Sequence, residues 1–394
     1  MDLSVNLAGI KLRTPVISAS CVDGKDGERI CTVSEFRLGA ATTKTITKNT
    51  LKDVLPNMKR VAGGSMINCV FGATLTAEQW FSQEFPKALE AGIPIIANMA
   101  GTNPAEAVEL AKACEAAGAS MIEYPTACPH MGNVLEAMYP GLKIDLPEVS
   151  DPSDYARQIE SVKKAVSIPV MAKFRAIFQL DCVKWAKAVE AAGADAISAA
   201  DSIGPAIDID IETGQPVLGG PRGYGGLTGP AIKPIILKMV LDITEAVKIP
   251  VVGIGGITTA EDAIAYIMAG ASAVELASAP TLYGYERYEE IVEGIEAFMT
   301  RKGYSSLDDF RGLTHRRIAE RAASGKNIIT DIVVPIRDKA LCTGCGACYM
   351  ACAYGAIYMG ERYAEMIPEN CEGCGLCVSV CPENALRQDY FAQV

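Results

Sequence analysis

Short apolar runs recur along the first three quarters of the chain, and two repeated phrases introduce them. Some runs contain the step Ile-Pro, which is typical of a buried strand entered through a proline. Others follow Ala-Gly-Ala, where the glycine ends an Ala-rich helix and the apolar run forms the next strand. The eight predicted strands lie within 15–20, 40–46, 92–98, 117–123, 167–173, 192–198, 248–254 and 269–275.

Helical periodicity fills the gaps between these strands. The clearest helical stretches are 104–117, 154–166, 180–192, 232–247 and 260–269. Strands that alternate with helices in this way predict an α/β fold, a (β/α)₈ TIM barrel. The longer gaps follow strands two, four and six and indicate insertions at 47–90, 125–150 and 202–230. In such barrels, loops that follow strands rise from the face that holds the active site.

The C-terminal tail carries a different pattern, C-x-x-C-x-x-C-x-x-x-C, written twice. The eight cysteines are Cys342, Cys345, Cys348, Cys352, Cys371, Cys374, Cys377 and Cys381. Thiolates at this spacing hold iron–sulfur clusters, and glycines at 344, 346, 373 and 375 let the backbone bend around them. The alternative is a pair of zinc sites, since C-x-x-C also binds zinc.

This tail resembles the small α+β two-cluster ferredoxin domain. The resemblance implies that the fourth cysteine of each run crosses over, so that each [4Fe-4S] cluster takes three ligands from one run and one from the other. The implied sets are Cys342, Cys345, Cys348 and Cys381 for one cluster, and Cys352, Cys371, Cys374 and Cys377 for the other. We therefore divide the chain into a barrel at 1–305, a linker at 306–336 and a 2x[4Fe-4S] ferredoxin-like domain at 337–394.

The composition limits which partners the protein can bind and which cellular compartment suits it. The net charge of −11, without a Lys/Arg-rich stripe, argues against nucleic acid. No apolar run is long enough to span a membrane, and the first twelve residues do not resemble a secretion signal. Eight of the fourteen cysteines belong to the tail, and we expect the other six to be thiols in a reducing compartment, by default the cytoplasm. These six are Cys21, Cys31, Cys69, Cys114, Cys128 and Cys182.

Residues at the strand ends indicate an anionic cofactor. Strand seven ends in Gly-Ile-Gly-Gly and strand eight in Ala-Ser-Ala, which is where these barrels commonly bind a phosphate, although a Gly-rich end alone also suits a plain turn. Lys44 and Lys173 close strands two and five, and a buried ammonium needs an anionic partner. A flavin would supply one, because its reduced ring carries negative charge. The alternative is a lysine that reaches from a strand end to the surface.

The barrel resembles the FMN-binding domain of the dihydroorotate and dihydropyrimidine dehydrogenases. The shared markers are Ala19-Ser20, Thr43-Lys44-Thr45, Asn68, Cys128-Pro129-His130, Lys173, the run 225–232, Gly255-Gly256 and Ala277-Ser278. A barrel with these markers followed by a two-cluster tail resembles the iron–sulfur subunit of bacterial dihydropyrimidine dehydrogenase. The resemblance implies an FMN site formed by Ala19, Ser20, Lys44, Thr45, Lys173, Gly226, Gly255, Gly256, Ala277 and Ser278. It implies substrate contacts from Asn68, Asp201 and Ser202.

Three departures concern the substrate side of the site. Pro125 stands where the family usually has an asparagine, and Asp201-Ser202 stands where it usually has Asn-Thr or Asn-Ser. The loop 131–147 contains neither cysteine nor serine. By position, Tyr139 is the nearest candidate acid there, followed by His130 and Cys128. The alternatives are a packing aromatic, a hydrogen-bonded loop histidine and a buried thiol.

Together these features predict an FMN- and iron–sulfur-dependent oxidoreductase. We expect it to reduce or oxidise a carbon–carbon bond next to a carbonyl in a small cyclic, pyrimidine-like substrate, while the clusters pass electrons to or from a partner. No nicotinamide-binding fingerprint is present, so the partner should be an NAD(P)H-oxidising flavoprotein subunit or a ferredoxin. The alternative is an electron-transfer subunit without its own substrate. We expect a homo- or hetero-oligomer.

Overall fold

The computed structural model describes residues 1–70, 74–126, 137–138, 141, 151–175, 181–326 and 328–390. It divides into two compact units, Met1–His315 and Arg316–Val394. The division falls inside the stretch 306–336 that we predicted as a linker, in the helix Leu313–Ala323.

The first unit is a closed barrel of eight parallel strands, which confirms the predicted fold. In chain order, barrel strands one to eight are Val16–Ser18, Ala40–Thr42, Ile95–Asn98, Met121–Pro125, Val170–Lys173, Ala196–Ala199, Val251–Ile254 and Ala273–Leu276. Nearly every residue in them is buried, because one face lines the barrel interior and the other lies under helices. Strand eight pairs with strand one through Val274 and Val16, which closes the barrel.

Helices follow the strands as the sequence predicts. They are Gly27–Ser34, Pro104–Ala116, Ser153–Ala165, Cys182–Ala191, Lys233–Ala246, Ala260–Met268 and Glu286–Lys302, together with 77–89, which contains a π-helical turn at Trp80–Glu84. Five of these helices have a short polar side chain as their N-terminal cap; Thr259, for example, accepts a hydrogen bond from the Asp262 amide. The glycine of each Ala-Gly-Ala phrase ends a helix, as predicted. Gly118, Gly193 and Gly270 lie just after a helix and have φ of 98°, 90° and 105°.

Additional strands pack onto this framework. An N-terminal hairpin joins Val5–Leu7 to Ile10–Leu12. The insertions after strands two and six together form one antiparallel sheet, whose strands are Ile203–Ala206, Gly225–Thr228, Met66–Asn68 and Met58–Arg60 in spatial order. A short hairpin pairs Ile209–Asp210 with Gln215–Pro216. Two regions distant in sequence therefore share one sheet above the same barrel.

The second unit is small and is built from two similar halves. Its strand pairs are Ile336–Arg337 with Leu386–Arg387 and Ile357–Met359 with Ala364–Met366, and its short helices are Ala347–Ala351 and Leu376–Ser379. The four glycines at 344, 346, 373 and 375 all have φ between 70° and 80°, in the left-handed region that glycine adopts without strain. A Cβ on Gly344 would lie 2.4 Å from the Arg362 carbonyl oxygen, so this turn also needs glycine for space.

Candidate active site and cluster cavities

Most of the predicted flavin residues lie at or just after the carboxyl ends of barrel strands, whereas Gly226 lies in the added sheet, on the strand Gly225–Thr228. Backbone contacts join the loops that carry them: the Ala19 amide donates to the Leu276 carbonyl at 2.9 Å, and the Lys44 amide donates to the Gly24 carbonyl at 2.7 Å. Thr45 is half-buried and follows Lys44 directly. The loops after strands one, two and eight therefore meet at this end.

Lys173 lies inside the barrel between two glutamates. The residue is 4 % exposed, and its Nζ lies 2.9 Å from Glu123 Oε1 and 3.4 Å from Glu275 Oε2. Strand eight does not neighbour strands four or five, so the contact of Glu275 with Lys173 crosses the barrel interior. Burial alone would lower the pKa of Lys173, but Glu123, Glu275 and Asp201 together raise it. Lys173 is therefore a fixed positive charge at the end of strand five.

The polar interior extends beyond these three charges. Ser198 Oγ donates to Glu275 Oε2 at 3.1 Å, and the Asn98 side-chain amide donates to Glu123 Oε1. Sequence reasoning missed Asn98, Glu123, Ser198 and Glu275 as members of the site. The available signal was a polar residue in a strand that is otherwise apolar on both faces, which is costly unless it is paired.

Several buried polar atoms in the described part of the chain have no hydrogen-bond partner, and many of them lie at or near the carboxyl ends of barrel strands. They include Ser20 Oγ, Thr42 Oγ1, Asn98 Oδ1, Glu123 Oε2 and Glu275 Oε1. Buried polar atoms of folded proteins are normally satisfied by protein, water or ligand. This set, next to a buried ammonium, fits a polar cofactor or ordered water at the strand ends, and so the residues present fit FMN.

Lys44 is 9 % exposed and lies beside a cysteine that sequence reasoning did not assign to the site. Burial and Asp23 raise the pKa of the Cys21 thiol, whereas the positive charge of Lys44 opposes them. Cys21 directly follows Ser20, so Lys44 lies against the loop after strand one. The predicted pairing of Lys44 with the flavin edge is compatible with this position.

The predicted phosphate residues lie at the ends of neighbouring strands seven and eight. Gly255 and Gly256 have φ of 120° and 75°. A Cβ on Gly255 would lie 2.5 Å from the Ala200 carbonyl oxygen, and one on Gly256 would lie 2.7 Å from the Lys233 amide nitrogen. The fold itself therefore requires both glycines. Ala277 precedes the helix Ser278–Tyr283, where the Ser278 side chain is buried.

The residues expected to contact substrate come from the two inserted segments. Asn68 pairs with Gly226 in the added sheet, so a predicted substrate residue and a predicted cofactor residue are neighbours. Asp201 is half-buried, and Ser202 Oγ lies 3.3 Å from Asp201 Oδ1. Burial raises the pKa of Asp201, and Lys173 partly offsets this effect. The three acid candidates, Tyr139, His130 and Cys128, lie outside the described residues.

The second unit contains two cavities lined by cysteine. Cys342, Cys345, Cys348 and Cys381 line one, and Cys352, Cys371, Cys374 and Cys377 line the other. Each cavity thus combines three cysteines of one run with the fourth of the other. Met366 lines both cavities and lies between the two sets.

The donor chemistry of these cavities fits iron–sulfur clusters better than zinc. In the described part of the chain, no three Cys, His, Asp or Glu side chains gather closely enough to hold a single metal ion. Four cysteines spaced around a cavity instead suit a cluster of several atoms. Backbone amides donate to cysteine sulfurs: Ala356 to Cys352 at 3.3 Å and Ala385 to Cys381 at 3.2 Å. Such hydrogen bonds stabilise thiolate ligands and tune cluster potentials.

Two further observations concern the cysteines and the helices of the described residues. The thirteen cysteines among the described residues are all free of disulfides. Within the same residues, no helix has the length and apolar character that crossing a bilayer requires.

Comparison with known proteins matches both units. Residues 2–299 match the family model for dihydroorotate dehydrogenase, and residues 336–387 match the model for a 4Fe-4S dicluster domain. Relatives include proteins described as "Dihydroorotate dehydrogenase B (NAD(+)), catalytic subunit". The one from Methanothermobacter thermautotrophicus is 34% identical over 79% of this chain and 98% of its own length. The one from Caldicellulosiruptor saccharolyticus is 37% identical over 79% of this chain and 99% of its own length.

These relatives are matched over nearly their whole length, whereas about a fifth of this chain lies beyond the match. A relative with the same description from Pyrococcus furiosus is 34% identical. It is also matched over 100% of its own length but over only 80% of this chain. The present chain therefore carries residues that these relatives lack. The chain belongs to the dihydroorotate dehydrogenase family, as a flavin-dependent oxidoreductase of CH–CH bonds whose barrel is followed by a 4Fe-4S dicluster domain.

Proposed function

We propose that this protein transfers electrons between a small cyclic, pyrimidine-like substrate and a redox partner, through FMN and two [4Fe-4S] clusters. The reaction reduces, or in reverse oxidises, a carbon–carbon bond next to a carbonyl. The proposal depends mainly on one observation. The same chain has the buried Lys173 at the carboxyl end of a barrel strand and two cavities that are each lined by four cysteines.

FMN would exchange a hydride at N5 with the substrate and allow single-electron exchange with the clusters. The chain's own residues would bind and orient the reactants. Lys173, with Lys44 and Thr45, would hold the polar edge of the ring, while Ala19 and Ser20 lie against it. The loop ends at Gly255, Gly256, Ala277 and Ser278 would hold the phosphate. Gly226 would approach from the added sheet.

The polar groups expected to contact the substrate suit a ring that carries carbonyl and N–H groups. Asn68 offers both a donor and an acceptor, and Ser202 offers a hydroxyl. Asp201 stands where the family usually has an asparagine. Because burial raises its pKa, Asp201 holds its proton to higher pH than an exposed aspartate, and a protonated carboxyl can donate as an amide does. This combination supports a pyrimidine-like substrate.

The clusters would connect this site to a partner. Each quartet of cysteines would hold one [4Fe-4S] cluster, and the partner would be an NAD(P)H-oxidising flavoprotein subunit or a ferredoxin. The name shared by the relatives, a catalytic subunit of an NAD(+)-linked enzyme, supports a partner subunit, and we propose a homo- or hetero-oligomer. Clusters and free thiols both suit a reducing compartment such as the cytoplasm.

The substrate test uses the whole protein, purified without oxygen and assayed for iron, sulfide and released flavin. We expect the flavin band, once bleached by dithionite, to return on addition of orotate, uracil, thymine or a cyclic enone. Asn68→Ala should retain its flavin but reoxidise more slowly with the same compound, because Asn68 would contact substrate rather than cofactor. Bound flavin that stays reduced with every compound would contradict a pyrimidine-like substrate.

That last outcome would favour the second candidate, an electron-transfer subunit without its own substrate. Pro125 supports this candidate, because it ends strand four with no side-chain hydrogen bond where the family usually has an asparagine. A partner protein should then reduce the flavin although no small molecule turns over.

The proton donor is tested with three variants, Cys128→Ser, His130→Asn and Tyr139→Phe. By its position in the loop, Tyr139 is the first candidate, ahead of His130 and Cys128. We therefore expect Tyr139→Phe to slow flavin reoxidation by substrate by about a hundred- to ten-thousand-fold. A loss confined to Cys128→Ser or His130→Asn would assign the donor to that side chain instead.

Reduction by dithionite serves as the internal control for this panel, because it requires no donor to carbon. It should proceed equally in all three variants. If Tyr139→Phe alone slows the substrate step, the phenol is the donor, as its position in the loop suggests. If none of the variants slows that step, the donor lies elsewhere.

A further inference from the structure

Glu275 is a buried acid that neither the sequence patterns nor the proposed flavin contacts assign to a role. It is 1 % exposed, lies on strand eight two residues before Ala277, and reaches across the barrel to Lys173. Its Oε2 accepts hydrogen bonds from Lys173 at 3.4 Å and from Ser198 at 3.1 Å. A charge at this position would lie close to the flavin's lysine.

The other oxygen of Glu275 and the matching oxygen of Glu123 have no donor. Glu275 Oε1 and Glu123 Oε2 are both buried and unpartnered, while the two carboxyl groups lie within hydrogen-bonding reach of each other. Two ionised carboxylates can only accept hydrogen bonds. One proton held on either group would let that group donate a hydrogen bond to the other.

Charge balance leads to the same conclusion. Lys173 supplies one positive charge, and three acids face it: Glu123 on strand four, Glu275 on strand eight and Asp201 after strand six. If all three acids were ionised, two negative charges would remain uncompensated. Glu123 and Glu275 therefore keep one proton between them even when Asp201 holds its own. Burial and the Glu123 charge raise the pKa of Glu275 to about 8, against the opposing effects of Lys173 and Ser198.

We propose that Glu275 is a positioning residue that shares a proton with Glu123 and, through Lys173, sets how many protons the protein takes up when its flavin is reduced. The inference rests on the proposed placement of FMN beside Lys173. FMN held there would, on taking up two electrons and one proton, place one negative charge next to Lys173. An ionised Glu275 would then take one further proton from solvent, which restores the charge balance without forming or breaking any other covalent bond.

The first test compares Glu275→Gln with the wild-type protein by spectroelectrochemical titration of the bound flavin from pH 6 to pH 9. The wild-type midpoint potential should fall more steeply with pH above about pH 8, since one extra proton then accompanies the two electrons. Glu275→Gln, which cannot ionise, should lack this steeper part. Glu296→Gln is the matched control, because it removes an acid that pairs with Arg37 outside the barrel at 2.7 Å. It should keep the wild-type profile, and a steeper part that persists in Glu275→Gln would overturn the inference.

A second readout needs no flavin. A carboxyl whose pKa is raised on folding lowers the free energy of unfolding as pH rises from its unfolded value to its folded value. The wild-type protein should therefore lose stability relative to Glu275→Gln between about pH 4.5 and pH 8, with no further change above. A difference in unfolding free energy that is constant with pH would contradict a proton on Glu275.

Ser198→Ala keeps the acid and changes only its donor. The Ser198 hydroxyl favours the ionised form of Glu275, so its loss should move the break in the potential profile to higher pH. An unmoved break would exclude Glu275 as the titrating group. Absence of flavin from the purified protein would instead overturn the flavin placement and, with it, the link to the potential, whereas the pH dependence of unfolding tests the proton by itself.

Discussion

Replacing Cys381 by alanine should remove the cluster that Cys342, Cys345 and Cys348 would hold, and should spare the other. Cys381 belongs to the second run in sequence but lines the first cavity, so the loss should cross from one motif to the other. We expect about half of the iron and sulfide to disappear. The measurement is metal and sulfide counting, with an EPR spectrum of the reduced protein to identify the remaining cluster.

The matched set separates crossed from uncrossed ligation. Cys381→Ala and Cys348→Ala should leave the same remaining spectrum, and Cys352→Ala and Cys377→Ala should leave the other one. If Cys381→Ala instead matched Cys377→Ala, each run would hold its own cluster and the proposed ligand sets would be wrong.

Replacing Lys173 by methionine should destabilise the barrel by about 3–5 kcal/mol, because it leaves Glu123 and Glu275 facing each other without a positive charge. The variant should also lose its flavin, since the ammonium that would hold the polar edge of the ring is gone. The measurements are the free energy of unfolding from denaturant titration and the flavin content of the purified protein.

Two companion variants make this result specific. Lys163→Met removes a lysine paired with Asp195 at 2.7 Å, where both side chains are about a third exposed, and should cost no more than about 1 kcal/mol. The double variant Lys173→Met/Glu123→Gln removes one negative charge with the positive one and should recover much of the stability without recovering the flavin. Equal stability of Lys173→Met and Lys163→Met would contradict a buried charge cluster.

Much of the fold could be predicted because its signals are local. The Ile-Pro and Ala-Gly-Ala phrases mark strand entries within a few residues, and each of the eight strands begins within its predicted range, although strands four, six and eight end one or two residues beyond it. The insertions after strands two and six were also expected. Their joining into one sheet, with Asn68 beside Gly226, was not predicted, because pairing between distant segments leaves no period in the sequence.

Only part of the candidate site could be predicted, because contacts between distant segments leave no local signal in the sequence. Lys44 and Lys173 stand out as charges at the ends of apolar strands. Glu123 and Glu275 are equally unusual by that criterion, yet their meaning depends on a contact across the barrel. A residue on strand eight meets one on strand five only when the barrel closes.

The sequence by itself determined which segments form strands and helices, which residues sit at the strand ends and how the cysteines are spaced, since each of these depends on neighbours along the chain. The tertiary structure decided which of those residues meet. It brought together the two mixed cysteine quartets that the resemblance to two-cluster ferredoxins implied, and it placed Lys173 between two acids from strands four and eight. The physical reason is that burial patterns specify which face of each strand turns inward, whereas contacts between inward faces follow from closure of the barrel as a whole.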